Sequence, residues 1–128
     1  MNLHLLDFDC SEDADGVTCW DALAHPPARY TPALLAEVSQ LLAWAHRFST
    51  AGPGPLEDGA DWDYDLSATL HGSSDSPQRV IACARFDPTQ GQLHLEPEPS
   101  ADQTLELGLS LSGSPGFAQA FRDQWLEP

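Results

Sequence analysis

The chain has no lysine, and its cations are five arginines (Arg29, Arg47, Arg79, Arg85 and Arg122) set against 20 aspartates and glutamates. A formal charge of −15 repels polyphosphate backbones and anionic lipid headgroups, so direct binding to nucleic acid or to a membrane surface is not expected. Long apolar runs are missing as well, and no stretch approaches the ~18 residues of a membrane span. The opening MNLHLLDFD has no basic segment, and Asp7 interrupts its apolar run, so it does not read as a secretory leader. Cysteines number three, Cys10, Cys19 and Cys83, an odd count that does not make a disulfide framework and suits thiols in a reducing cytoplasm.

Short motifs of chemistry are equally sparse. No CxxC unit, glycine-rich phosphate loop or GxSxG elbow occurs, and His4, His25, His46, His71 and His94 are scattered without a pair at metal-ligand spacing. The SEDADG stretch shares three spacings of an EF-hand calcium loop, at Asp13, Asp15 and Gly16. Ser11 stands at its first ligand position and Ala22 where the bidentate glutamate belongs, so the match fails. No cofactor, metal ligand or catalytic residue is therefore expected.

What is present is core-forming material: 41% apolar residues with four tryptophans, enough to fold despite the charge. Residues 1–128 read as a single acidic domain, a length at which roughly two-thirds of the unfolded surface can be buried. Residues 2–10 and 17–24 are short apolar runs joined through an Asp15-Gly16 turn signal, which predicts a hairpin. Thr31-Pro32 predicts a helix start, with threonine as cap, and Leu34, Leu35, Val38, Leu41, Leu42, Ala45 and Phe48 recur on one stripe of a helix over 32–48. Residues 49–60 read as a Gly/Pro loop. Strict alternation predicts half-buried strands over 61–70 and 104–112, and further strands over 79–86 and 92–96 flank a turn at Pro88 and Gly91. Ser114-Pro115 opens a short terminal helix whose Phe117, Ala118, Phe121 and Trp125 form its apolar face.

The order β-β-α-β-β-β-β-α, with hairpin-length connections, predicts an α+β fold: a mainly antiparallel sheet of about six strands with both helices on its apolar face. The other face should carry charge. Asp61, Asp63 and Asp65 share one side of a strand, and Asp7, Asp9, Glu12, Asp13, Asp15 and Asp21 form a second acidic group without a lysine or arginine among them. These nine carboxylates are the candidate partner-binding residues. They point to a noncatalytic binding protein that presents an acidic surface to a basic protein, as an immunity-type inhibitor or a secretion chaperone would. The alternatives from other classes are a small hydrolase or metal-dependent enzyme with an acidic pocket, and a structural homodimer.

Overall fold

The computed structural model describes residues 3–49, 51–73, 75 and 77–126. Asn2 of the first apolar run and Thr50 of the Gly/Pro loop lie outside them. One six-stranded antiparallel sheet carries β1 (Asp9–Glu12), β2 (Thr18–Ala24), β3 (Trp62–His71), β4 (Arg79–Asp87), β5 (Gln92–Glu96) and β6 (Thr104–Gly113). Helix α1 spans Thr31–Phe48 and α2 spans Pro115–Phe121, continuing into a π turn over Arg122–Leu126. The predicted α+β class and element order are those observed. No helix among the described residues is long and apolar enough to cross a membrane.

Spatial order departs from chain order at one strand. The sheet runs β1-β2-β6-β3-β4-β5, so β6 inserts between the first hairpin and β3. It is the most apolar strand on its inner side: Leu105, Leu107, Leu109 and Leu111 are all buried. A strand with that pattern loses most by standing at an edge, and the centre gives it neighbours on both sides.

Both helices cover the inner face, and aromatic rings join them to the sheet. Phe117 of α2 stacks on Trp62 of β3 with ring centroids 5.7 Å apart, and Phe121 lies 4.5 Å from Trp20 of β2. Trp44 of α1 meets Phe117 at 5.6 Å and Trp125 at 6.2 Å. The close packing of Phe117 requires glycine at position 113, where a Cβ would collide with the ring.

Three local expectations need correction. Of the run over residues 2–10, residues 3–8 form no strand, and β1 takes only Asp9 and Cys10 from it. Leu3 to Phe8 form an irregular strap held by the carboxylate of Glu37 on α1, which accepts the backbone N–H groups of His4, Leu5 and Leu6, at 3.0 Å for Leu5 and 2.7 Å for Leu6. Leu6 enters the core from this strap, and Phe8 meets Phe121 at 5.6 Å. Pairing starts later, at Asp9. Apolar content here reflects core contact, and the adjacent Leu5 and Leu6 had no single strand register to satisfy.

The second correction concerns Thr31, which is helical and makes no capping bond. A 3-10 turn over Ala28–Tyr30 runs straight into α1, and the Thr31 N–H donates to the Ala28 carbonyl. The preceding turn thus takes over what a cap would do. At α2 the expected cap does form: the Ser114 hydroxyl accepts the Phe117 N–H at 3.3 Å. Third, the α1 stripe buries Leu34, Val38, Leu41, Leu42 and Ala45, whereas Phe48 stays 40% exposed at the last turn, touching Trp44 and Phe117 only along one side.

Candidate functional site: the open face of the sheet

The opposite face of the sheet carries neither helix. Side chains alternate across a strand, so residues directly paired between strands share a face, and the register can be read as rows. One row runs Asp9, Asp21, Ser110, Asp65 across β1, β2, β6 and β3. The next runs Ser11, Cys19, Ser112, Asp63 across the same strands. Four aspartates therefore fall within a patch of about 15 by 7 Å. Three of them, Asp21, Asp63 and Asp65, line with the serines and Cys19 a shallow depression of about 450 Å³.

The hydrogen bonds in this patch are few. The Ser110 hydroxyl donates to Asp21 at 2.6 Å, and Asp63 accepts the N–H of its neighbour Tyr64 at 2.9 Å. Among the described residues no arginine lies within 4.0 Å of a carboxylate, and the one ion pair is His71 with Glu106. Asp9 and Asp21 face each other directly across β1 and β2, a like-charge pair that costs stability. The field acts on its neighbours. Burial pushes the Cys19 thiol above its ordinary pKa, with Asp21, Asp13 and Cys10 adding to the rise. Burial followed by the Asp63 charge raises Tyr64.

Beyond the acidic rows the face turns apolar and then polar. Leu23, Gly108 and Ser67 form a third row, and Gly108 keeps it low: a Cβ there would stand 2.5 Å from the Ser67 hydroxyl. Leu23 is 69% exposed, and Ile81, opposite Thr69, is 82% exposed. At the far end His71 pairs with Thr104 on β6 and Arg79 on β4, and Glu106 lies opposite Thr69.

Of the nine expected partner-binding residues, the fold thus brings Asp9, Asp21, Asp63 and Asp65 onto one face. The remaining five sit elsewhere. Asp61 precedes β3, exposed, with its carbonyl accepting the Ser114 N–H. Asp7 lies on the N-terminal strap beside Trp125 and Leu126. Glu12 pairs with the inward-facing Thr18, which places it on the helix side of the sheet at an exposed edge. Asp13 folds the β1–β2 turn by accepting the N–H groups of Asp15 and Val17 at 2.9 and 3.0 Å, and Asp15 is an exposed residue of that turn. Register also separates two of the thiols: Cys10 opposes Trp20, and Cys19 opposes Ser11, so they project to opposite faces. All three cysteines are free.

Sequence reasoning missed the far end of this face. His25, His71 and Glu106 each offer a ligand atom, and these atoms lie within 4.8 Å of one another. The signal was parity: His71 continues the outward positions of Asp63 and Asp65, and Glu106 those of Ser110 and Ser112. Only the pairing of β3 with β6 joins them. Compared with protein-family models, with curated proteins and with solved structures, the chain matches none.

Proposed function

We propose that the chain is a noncatalytic binding protein whose open sheet face engages a basic protein surface. The observation that carries this reading is the direct opposition of Asp9 and Asp21, extended by Asp65 and Asp63, without an arginine within 4.0 Å among the described residues. Folding alone gains nothing from that arrangement, and a cationic partner would turn its cost into attraction. Leu23 and Ile81 beside it supply apolar area for the centre of a contact, which a purely solubilising face does not need. An immunity-type inhibitor and a secretion chaperone are two proteins of this kind. The exposed thiols of Cys10 and Cys83 suit a reducing cytoplasm as the place of action.

The test uses a cationic peptide containing arginine and leucine as probe, with amide chemical-shift mapping on the full chain. Shifts should centre on Asp21, Ser110, Asp65 and Leu23. Replacing Asp9, Asp21, Asp63 and Asp65 together by asparagine should slow association roughly tenfold or more at low ionic strength, with the difference shrinking as salt is added. The variant should fold at least as stably as the parent. Equal shifts at Asp13, Asp15 and Asp123, or association unaffected by the four substitutions, would overturn the proposal.

A further inference from the structure

We infer that His25, His71 and Glu106 form a binding site for a borderline divalent transition-metal ion, with Zn²⁺ the fitting member. This site stands apart from the proposed basic-partner contact and does not depend on it. His71 and Glu106 occupy outward positions on the neighbouring strands β3 and β6, and His25 lies one residue past the end of β2. His25 follows the outward Cys19, Asp21 and Leu23 of β2, one residue past the Ala24–Leu107 pair, which brings it level with Glu106 on β6. His71 ends β3 on the other side of β6, so the two imidazoles flank the glutamate strand.

The local bonding holds these groups together. The His71 Nε2 lies 2.9 Å from Glu106 Oε1, and His25 Nε2 lies 2.8 Å from the hydroxyl of Thr104. The two rings tilt together with centroids 4.7 Å apart. Pro26 follows His25 and restricts it to extended backbone, which keeps its side chain in line with the strand it leaves. All three ligand atoms lie within 4.8 Å of one another, so rotations about side-chain bonds suffice to place each at the ~2.0–2.2 Å that Zn²⁺ takes from imidazole nitrogen or carboxylate oxygen.

The donor set selects the ion. Two imidazoles and one carboxylate suit zinc and its neighbours, whereas Ca²⁺ and Mg²⁺ seek oxygen ligands throughout. The acidic rows on the same face favour any cation, but they offer no imidazole. Arg79, opposite His71, is the one basic side chain paired in register with these residues. It is exposed, and it lies more than 4.0 Å from the Glu106 carboxylate. Three protein ligands leave a fourth position for the Thr104 hydroxyl or water. Because the ligands come from the ends of β2, β3 and β6, the ion would clamp the strands whose pairing the chain order does not bring together.

The experiment is a titration of the full chain with Zn²⁺, followed through the ring nitrogen signals of its five histidines and by thermal melting. One equivalent should move the His25 and His71 signals and leave those of His4, His46 and His94 in place. The melting temperature should rise with Zn²⁺ and stay unchanged with equal Mg²⁺ or Ca²⁺. Both effects should be lost in His25→Ala and His71→Ala and kept in His94→Ala. Should either histidine variant fail to fold, the signals of the unaltered chain decide the matter alone. No response, a response shared equally with His4 or His94, or undiminished Zn²⁺ binding by folded His25→Ala and His71→Ala protein would overturn the assignment.

Discussion

At the scale of single residues, charge without nearby countercharge is the dominant fact, and Cys19 reports on it. Its thiol is held above the ordinary range by burial first and by Asp21 next. A raised thiol pKa means that the folded state holds its proton more tightly than the unfolded chain. The associated stability is complete below the unfolded-state pKa and is lost as pH rises through the folded value. Alkylation of Cys19 at pH about 8 should therefore run slower than that of a cysteine in an unstructured peptide, since the thiolate is the reacting form. Asp21→Asn should speed it, though only in part, because burial remains. Mass spectrometry of the alkylated peptides over time measures both rates, and a rate unaltered by Asp21→Asn would remove the aspartate from the account.

At the scale of elements, α1 organises the inner face through its apolar stripe and through two polar side chains. Ser39 accepts the Leu93 N–H at 3.0 Å, tying the helix to edge strand β5. Glu37 holds the strap of Leu3 to Phe8 by accepting three backbone N–H groups. Glu37→Gln should cost about 1–3 kcal/mol, because charge-assisted bonds to backbone donors are weakened together. Faster hydrogen exchange at Leu5 and Leu6, with the sheet amides unaffected, is the expected sign, and protection equal to the parent's would contradict the anchoring role. Leu41 is fully buried under the sheet, so Leu41→Ala should destabilise by about 2–5 kcal/mol through lost burial and a residual cavity. Denaturant unfolding measures this, and a cost under ~1 kcal/mol would show that the neighbouring side chains collapse into the space.

At the scale of the whole molecule, a formal charge of −15 with five arginines and no lysine makes self-repulsion a term in stability. The Debye length falls to about 10 Å at 0.1 M salt, shorter than the separation of most charges on a domain this size. Raising NaCl from about 0.01 to 0.3 M at neutral pH should therefore raise the melting temperature by several degrees, at roughly 2–8 °C per kcal/mol of repulsion relieved. A melting temperature that falls or stays level across that range would show that the carboxylates are spaced widely enough for water alone to screen them.

Local pattern was sufficient where one element's own side chains decide its burial. The alternation of Trp62 to His71 and of Thr104 to Gly113 determined which sides face inward, because a period of two makes burial of one set and exposure of the other a single choice. The three- and four-residue spacing of α1 and the Ser114 cap of α2 are local in the same sense. Residues held from a distance were not legible: the strap over Leu3 to Phe8 resembles a strand in composition, but Glu37, more than 30 positions on, decides its path. Strand order belongs to the same class. The leucine run of β6 favours a central place but does not say which strands flank it; the packing of the shared core places it between β2 and β3. That insertion alone merges Asp21 with Asp63 and Asp65, and sets His25 and His71 on either side of Glu106. The sequence by itself determined the residue types and their outward parity, whereas tertiary structure decided which of them meet, because contact between strands depends on core packing that no single strand contains.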